Sequence, residues 1–283
     1  MHVAYGGKYM LLTDIHNHST FSADGRSPLE DMVSTAKNNG LRYFGISEHF
    51  DYDYKALGLE INGFPPFTDA VAYFKKAAEL KKKYNNNNFT FLAGGEFGFT
   101  QSSKCFDEYS QLIEKYSPDF VVNSVHTVEG QDCWYAGYFE GKTKEKAYGD
   151  YLEAVLSSLD APYYYDIVAH LGYCSRNAKY SDPKLRYENF RNIIDQILKT
   201  IVQKGKILEV NSSTRSAGSD FIPDTDILSR YFELGGRAIS FGSDAHATDR
   251  ICDKRGLVVS ALKKIGFTHV TVPTREGYKE VKI

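Results

Sequence analysis

The 283-residue sequence predicts an α/β protein built as one barrel of parallel strands. Short β-rich segments alternate along the chain with helical segments, and seven such strand–helix units predict parallel strands joined by right-handed crossovers. The strand segments are nearly continuous apolar runs, as is typical of strands that are covered on both faces. An open doubly wound sheet fits the same alternation and is the main alternative. No internal repeat or linker divides the sequence, so we expect a single domain.

The predicted strands are the short apolar segments 11–15, 43–46, 89–93, 120–124, 166–169, 207–210 and 238–241, with a weaker eighth at 270–272. The predicted helices span residues 68–84, 144–159, 185–202 and 224–234. Another helix is expected to begin with Ser27 as its N-cap and Pro28 at its first position, and to stop at Gly40. Residues 1–9 precede the first strand and are interpreted as a leader or an expression remnant, which leaves 10–283 as the barrel domain.

Composition narrows the class of protein. Lysine and arginine number 34 and aspartate and glutamate 36, so the formal net charge is −2, which does not favour a nucleic-acid-binding surface. The apolar runs are too short to cross a membrane, and the first residues do not resemble a secretory signal. The four scattered cysteines are typical of reduced thiols. We therefore expect a cytoplasmic protein that acts on a small molecule, with an oligomeric state that the sequence does not reveal.

Six of the eight histidines, together with several acids, fall at or just after the ends of the predicted strands. These residues are His16, His18, His49, Glu96, His126, His170, Asp244 and His246. In a parallel barrel all these positions lie on the carboxyl-end face, where barrel enzymes place their chemistry. A single histidine after a strand is more often a loop hydrogen bonder, but six at strand ends are hard to explain by chance. His2 and His269 fall outside the pattern.

Imidazole and carboxylate groups in this number suit Zn²⁺, Mn²⁺ or Fe. His16 and His18 are two residues apart, so in an extended segment they point the same way and can bind one ion. Asp244 and His246 have the same spacing. Because the cluster also contains carboxylates, which can bridge ions, a site with several metals is favoured over a single structural zinc. Two neighbouring acids have other predicted roles. Asp14 is expected to orient a ligand imidazole, and Glu48 is either a metal ligand or, as we favour, a local ion-pair partner.

The ordered motifs resemble those of the PHP (polymerase and histidinol phosphatase) superfamily. The first is Asp14-Ile15-His16-Asn17-His18-Ser19, and the others are Ser47-Glu48-His49, Gly95-Glu96, Ser124-Val125-His126, Ala169-His170-Leu171-Gly172 and Ser243-Asp244-Ala245-His246. The length and the segments 123–126 and 148–172 resemble histidinol-phosphate phosphatases. The resemblance implies a distorted (β/α)7 barrel with its active site at the C-terminal ends of the strands.

The resemblance also implies two to three divalent transition-metal ions. The first would be held by His16, His18, Glu96 and Asp244. Glu96 would bridge to a second, which His126 and His170 also bind. His49 and His246 would hold the third. The family often has a histidine in the loop after the first motif as a further ligand to that third ion, and this sequence has Asp24 there, which leaves the identity and occupancy of the third metal open.

These features predict a metal-dependent phosphomonoesterase that hydrolyses L-histidinol phosphate in histidine biosynthesis. Clustered metals present hydroxide at neutral pH and neutralise phosphoryl oxygens, so a hydroxide bridging two metals is the expected nucleophile. Glu96, Asp244 and His246 are the predicted catalytic residues. Arg176 and Arg215 are predicted to bind the substrate phosphate, because guanidinium groups suit its oxygens.

Several interpretations remain open at the level of the sequence. The aromatic segment 134–139 either walls the pocket around an organic group or packs a long loop against the barrel. A PHP-type phosphatase of phosphotyrosine proteins or other small phosphomonoesters, and a PHP-type nuclease, are the alternative enzymes. A regulatory protein that has lost catalysis is the alternative outside the enzymes, but the apparent completeness of the ligand set argues against it.

Overall fold

A seven-stranded parallel sheet forms the centre of the structure, a computed structural model that describes residues 11–60, 63, 65, 67–214 and 219–283. The strands are β1 (Thr13–Asp14), β2 (Tyr43–His49), β3 (Thr90–Gly98), β4 (Val121–Ser124), β5 (Thr127–Val128), β6 (Gln131–Asp132), β7 (Ile167–Val168), β8 (Ile207–Asn211), β9 (Ile239–Gly242), β10 (His269–Val272) and β11 (Lys279–Lys282). The central sheet has the order β1-β2-β3-β4-β7-β8-β9. Its strands follow the chain without a reversal, as a barrel requires.

The first and last strands of this sheet meet and close it. The Ile15 N–H donates to the carbonyl of Phe241 at 3.0 Å, and Asn17 pairs with Ala245 in a parallel bridge just beyond the strand ends. An open doubly wound sheet would leave these two edges apart. The predicted seven-stranded barrel is therefore confirmed, and the open-sheet alternative is wrong.

Helices cover the outside of the barrel between successive strands. They are α1 (Leu29–Asn38), α2 (Tyr52–Leu57), α3 (Ala70–Tyr84), α4 (Ser103–Tyr116), α5 (Lys144–Ser158), α6 (Arg191–Gln203), α7 (Thr225–Glu233) and α8 (Arg255–Ile265). Helix α6 shows the packing principle, because Ile194, Ile197, Leu198 and Ile201 recur at helical spacing and are all buried. The sequence pattern does not single out α4 or α8, whose buried faces carry few strongly apolar residues. None of the helices in the described ranges is long and apolar enough to span a membrane.

Two predicted helix starts are wrong, for local reasons. Helix α1 begins at Leu29 with Pro28 as its N-cap, because the Ser27 hydroxyl is used elsewhere and accepts a hydrogen bond from the Thr248 N–H. Helix α6 begins at Arg191 and not at 185. The preceding residues form a short 3₁₀ turn, and the Tyr187 N–H there is bound by the carboxylate of Asp226 at 2.8 Å.

The weak eighth strand is present but lies outside the barrel. Strand β10 pairs antiparallel with β11, with His269 opposite Lys282. The chain reverses between them through Gly277, which has a φ of +106° that few other residues adopt. Residues 1–9, the predicted leader, lie outside the described residues.

Two glycines allow β2 and β3 to continue past a buried aromatic ring toward the carboxyl-end face. A Cβ atom added at Gly94 would lie 2.6 Å from the ring of Phe120, and one at Gly45 would lie 2.9 Å from the same ring. These glycines therefore let the two strands pass the Phe120 ring while keeping their parallel ladder. The ladder continues until His49 pairs with Glu96. These two residues, predicted to follow their strands, lie within them.

Candidate metal centre

The predicted strand-end residues converge at the carboxyl end of the barrel. A cavity of about 670 Å³ opens there, and its lining includes His49, Glu96, His126, His170, Asp244 and His246. His16 and His18 lie beneath this lining and are 1% and 0% exposed. The structure thus brings together side chains that are up to 230 residues apart in the sequence, from the positions of His16 and His246. This convergence is what the strand-end pattern predicted.

Glu96 is the centre of the arrangement. Its Oε2 atom lies 3.1 Å from His16 Nε2, 3.4 Å from His18 Nε2 and 3.2 Å from His49 Nδ1. Its Oε1 atom lies 3.0 Å from His170 Nε2 and 3.2 Å from His126 Nε2. Ser124 donates its hydroxyl to Oε1 at 2.5 Å. One carboxylate therefore faces five imidazoles, with its two oxygens directed at different sets.

The candidate ligand atoms fall into an inner and an outer cluster. The inner cluster contains His16, His18, Glu96, His126, His170 and Asp244, and the outer cluster contains Asp24, His49 and His246. Among the described residues, three sets of atoms lie within 4.8 Å of one another and could each hold a metal ion: His16 with His18 and Glu96, Glu96 with His126 and His170, and His18 with His49 and His246. His18 belongs to two of these sets, so it lies at the junction between the clusters.

The outer cluster includes the aspartate that stands where the family often has a histidine. Asp24 Oδ2 lies 3.0 Å from His246 Nε2, and its Oδ1 lies 3.8 Å from His49 Nε2. The His18 ring stacks on the rings of His49 and His246, with centroids 4.2 and 4.4 Å apart. Asp24 therefore lies beside the two histidines with which the resemblance to the family groups it.

The chemistry of these atoms fits a group of metal ions. His18 Nε2, His49 Nδ1, His246 Nε2 and Asp24 Oδ1 are buried and make no hydrogen bond. Buried polar atoms are normally satisfied, because leaving one unpaired costs about 1–3 kcal/mol. Unpaired imidazole nitrogens that converge with carboxylate oxygens are the donor set that Zn²⁺ and similar ions prefer. The residues present therefore suit the ions that the sequence predicts.

The electrostatic environment favours an ionised Glu96 and a neutral His18. Burial raises the pKa of Glu96, but the surrounding imidazoles of His16, His49 and His126 outweigh this and hold it well below its usual range. Burial and the neighbouring His49 and His246 lower the pKa of His18 to about 3. An ionised carboxylate next to a neutral imidazole is the state in which both groups bind metal.

Backbone strain accompanies two of the candidate ligands. His170 has a φ of +23° and Asp244 a φ of +52°, which are uncommon for residues with a side chain. The Asp244 N–H is held by the carbonyl of His16 at 2.8 Å, and the His170 N–H by the carboxylate of Glu209 at 2.7 Å. These contacts stabilise the strained turns that direct both side chains into the site.

Two carboxylates that support the imidazoles are not among the predicted site residues. Glu209, on β8, lies 2.7 Å from His16 Nδ1 and also binds the His170 N–H. Asp51, just after β2, lies 3.0 Å from His49 Nδ1 and 3.5 Å from His126 Nδ1. Glu209 therefore fixes the His16 ring and the His170 backbone from behind. Asp51 instead places a negative charge beside the rings of His49 and His126, which counteracts the lowering effect of burial and raises the pKa of both. An acid within an apolar strand is the signal that could have identified Glu209, since acids are rarely buried without a partner.

The roles predicted for Asp14 and Glu48 are wrong. Asp14 accepts hydrogen bonds from the N–H and hydroxyl of Ser243 and from the Cys252 N–H, so it fixes the loop after β9 and not an imidazole. Glu48 accepts from the N–H and hydroxyl of Ser19 and from the Ser22 hydroxyl, instead of forming an ion pair. Burial raises the pKa of Glu48 to about 7, and the hydroxyl donors only partly offset this.

Arg176 lies at the edge of the inner cluster and lines the cavity. Its Nη2 atom donates to Asp244 Oδ2 at 2.9 Å and to Asn211 Oδ1 at 2.7 Å, while its Nε is buried without a hydrogen bond. The guanidinium is thus fixed in direction and retains donors. The other predicted phosphate-binding residue, Arg215, lies outside the described residues. Arg26 and Arg250 also line the cavity and are not among the predicted site residues.

The aromatic segment 134–139 takes both of its predicted roles. Trp134 and Tyr135 line the cavity. Tyr138 is buried away from it and donates its hydroxyl to the carbonyl of Ala147 at 2.6 Å. The first two residues of the segment therefore wall the pocket, and the later ones pack the loop against the barrel.

Comparison with known proteins finds relatives of similar sequence. The PHP domain family matches residues 14–213. A protein of Clostridium acetobutylicum assigned as a histidinol-phosphatase is 30% identical over 244 residues, which are 85% of this chain and 89% of the relative. The histidinol-phosphatase of Lactococcus lactis is 28% identical over 256 residues, 90% of this chain and 91% of the relative.

Two solved structures resemble this protein over most of its chain. The Lactococcus lactis histidinol phosphate phosphatase, solved with zinc, L-histidinol and phosphate, superposes with a TM-score of 0.82 at 25% identity, covering 96% of this chain and all of that chain. A Listeria monocytogenes protein assigned as a histidinol phosphatase has a TM-score of 0.74 at 21% identity, covering 87% of this chain and 99% of that one, and supports the fold. With the family match extending over most of the sequence, this chain belongs to the PHP domain family.

Proposed function

We propose that this protein is a metal-dependent phosphatase that hydrolyses L-histidinol phosphate to L-histidinol and phosphate, as a step of histidine biosynthesis. The observation that carries the proposal is Glu96, a single buried carboxylate with two oxygens that face different sets of imidazoles. The similarity to histidinol-phosphatases over most of the chain, one of them solved with histidinol and phosphate, supports the choice of substrate.

We propose that the protein binds two to three divalent ions, of zinc, manganese or iron, and the three candidate ligand sets support this number. His16, His18, Glu96 and Asp244 would hold the first ion, Glu96, His126 and His170 the second, and His49, His246 and Asp24 the third. Such ions supply Lewis acidity toward the phosphoryl oxygens and an activated water at neutral pH. The zinc in the Lactococcus lactis structure supports zinc as one occupant.

The side chains of this protein would position the substrate and the ligands. Burial raises the pKa of Glu96 and Asp244, but neighbouring cations outweigh it and hold the pKa of both carboxyls well below the usual range, with Arg176 as the strongest of these cations for Asp244. Arg176 would bind the terminal phosphate with the donors that its bonds to Asp244 and Asn211 leave free. His246, held through its Nδ1 by the Asp244 carbonyl at 2.9 Å, presents Nε2 to the outer side of the cavity. Of the three predicted catalytic residues, Asp244 lies next to the arginine that would bind the phosphate.

Metal analysis is the first test. Protein that is prepared without chelator should contain more than one equivalent of transition metal, and its removal should abolish phosphate release, with activity returning on addition of Zn²⁺ or Mn²⁺. A metal-free protein that is fully active would contradict the proposal.

Substrate choice is the second test. We expect kcat/KM for L-histidinol phosphate to exceed that for phosphotyrosine, simple phosphomonoesters and short single-stranded DNA. Equal values for all monoesters would make the protein a phosphatase without this specificity. Degradation of the DNA in preference to every monoester would establish the nuclease alternative.

A further inference from the structure

One wall of the cavity is aromatic and carries a carboxylate that is separate from the candidate metal ligands. Asp132, at the end of β6, lines the cavity together with Tyr54, Trp134, Tyr135 and Tyr173. The hairpin of β5 and β6 places it there, because Thr127 and Val128 of β5 pair with Asp132 and Gln131. The wall thus combines a negative charge with the rings of four side chains.

The carboxylate of Asp132 is held by neutral donors. Its Oδ2 accepts from the Tyr54 hydroxyl at 2.8 Å, and its Oδ1 accepts from the Trp134 N–H at 2.7 Å and the Tyr173 hydroxyl at 3.3 Å. Within the described ranges it forms no ion pair with a lysine, arginine or histidine at 4 Å or less. A carboxylate has about four positions that accept hydrogen bonds, so at least one remains after these three donors.

This environment makes the negative charge of Asp132 costly. Burial raises the pKa of its carboxyl above the usual range, and the hydrogen bonds from Trp134 and Tyr54 only partly offset this. Asp132 is partly buried, and no cation of the described residues pairs with it directly, so a ligand that supplies one would stabilise its charge. The aromatic side chains that line the same wall favour the same kind of ligand, since the faces of such rings attract ammonium and other organic cations.

Tyr173 relates this wall to the phosphate-binding end of the cavity. The Arg176 guanidinium lies over the face of the Tyr173 ring, 5.2 Å from its centroid, and the hydroxyl of the same ring donates to Asp132 at 3.3 Å. One tyrosine therefore contacts both a cationic group and an anionic group of the cavity lining. This arrangement suits a small molecule with a phosphate at one end and a positive charge at the other.

We propose that Asp132 is a specificity-determining residue that binds the organic cation of the substrate, an ammonium or an imidazolium group, while the phosphate lies at the metal centre. The inference rests on the proposed function, because it assumes that a phosphomonoester enters this cavity. It adds the substrate class: phosphate esters of amino or imidazolyl alcohols are selected over neutral ones by charge at the aromatic wall.

The experiment compares Asp132→Asn with the wild-type enzyme, both loaded with metal. The measured quantity is the ratio of kcat/KM for L-histidinol phosphate to kcat/KM for glycerol 3-phosphate, which has no cation. Loss of one charge-assisted hydrogen bond should lower this ratio by at least about tenfold. The inhibition constant of L-histidinol should rise by a similar factor, whereas that of inorganic phosphate should not change, which checks that the metal end is intact.

Glu129→Gln is the matched control. Glu129 lies in the turn between β5 and β6, is exposed, and pairs with Lys142 at 3.1 Å outside the cavity. Removal of its charge should leave the ratio unchanged. Should Asp132→Asn fail to fold, Asp132→Glu is measured instead, and its displaced carboxylate should also lower the ratio.

Two further substrates identify the cation. O-phosphoethanolamine carries only the ammonium, and imidazolylethyl phosphate carries only the imidazole. The wild-type enzyme should prefer at least one of these substrates to glycerol 3-phosphate. The substrate for which Asp132→Asn loses that preference contains the group that Asp132 binds. An unchanged ratio in Asp132→Asn, or an equal fall in Glu129→Gln, overturns the inference while the wild-type preference for histidinol phosphate still supports the proposed function. Wild-type protein that hydrolyses no phosphomonoester overturns both.

Discussion

The inner and outer clusters of the candidate metal centre differ in how the fold supports them. The inner histidines and Glu96 come from or next to barrel strands and are almost fully buried, with His16, Glu96 and His170 each 1% exposed. The outer cluster depends on Asp24, a loop residue whose side chain is 33% exposed, and on His246, at 22%. Buried ligands that are held in fixed positions bind a metal ion tightly, whereas exposed ligands on loops bind it less tightly. We therefore expect metal affinity to decrease from the inner cluster to the outer one.

Glu96→Gln should have the largest effect. An amide has one oxygen and less charge, so it cannot face both sets of imidazoles as the carboxylate does. We expect the inner metals to be lost and phosphate release to fall on the order of a thousandfold or more. Elemental analysis and activity give the answer, with circular dichroism to confirm folding. Full metal content in a folded, active variant would show that Glu96 is not a ligand.

Arg176→Ala should rank next. The guanidinium contacts Asp244, which approaches His18 of the inner cluster at 3.4 Å and His246 of the outer one at 3.6 Å. Loss of charge-assisted bonds to phosphate should lower kcat/KM by about a hundredfold, and Arg176→Lys should recover only part of it. A rise in KM alone would indicate ground-state binding, and a fall in kcat would indicate a contact that strengthens in the transition state. Wild-type kinetics in both variants would leave Arg176 a structural residue.

Glu209→Gln tests whether the carboxylate that hydrogen-bonds two inner histidines increases the metal affinity of the inner cluster. The carboxylate orients His16 and holds the His170 N–H, so its loss should weaken metal binding by about 10- to 100-fold. The measurement is a metal titration against a competing chelator, which does not depend on turnover. Glu188→Gln, a change at an exposed acid away from the cavity, is the control. Equal affinities in the two variants would argue against this role of Glu209.

Asp24→Asn should have the smallest effect. Its loss should release the outer metal while the inner ions stay, with kcat/KM falling by about tenfold or less, since one exposed ligand is replaced by a neutral one. Asp24→His, which supplies the residue more often found there in the family, should retain the outer ion. Loss of all metals from Asp24→Asn would mean that the two clusters are not independent, and the proposed gradient of affinity would be wrong.

Much of the site could be predicted because local sequence fixes the strand ends. A polar residue that follows an apolar strand lies on the carboxyl-end face of any parallel barrel, so His126 and His170 could be placed without knowing the strand order. The same reasoning misplaced His49 and Glu96 by a few residues, because the ladder between β2 and β3 continues past the apolar segments. The error was small since the two residues still point into the site.

The supporting residues could not be predicted in the same way. Glu209 acts on His16 and His170, which belong to other parts of the barrel, and no spacing relates it to them. Asp51 follows His49 by two residues, but its approach to His126 has no counterpart in the sequence spacing. Asp14, which adjoins His16, was assigned the task that Glu209 performs, although Asp14 instead binds Ser243. Nearness in sequence is a poor guide here, because the hydrogen bond that orients a buried imidazole is formed with whichever strand packs behind it.

The sequence by itself determined the class of fold, the face that carries the chemistry and the kinds of atoms that meet there. Those properties depend on periodicity and residue type, which act locally along the chain. Only the tertiary structure decided that Glu96 faces five imidazoles, that Arg176 is held by Asp244 and that Asp132 forms part of an aromatic wall. Barrel closure and side-chain packing set these distances. Both depend on contacts between segments that are far apart in the chain, which a local sequence pattern does not relate to one another.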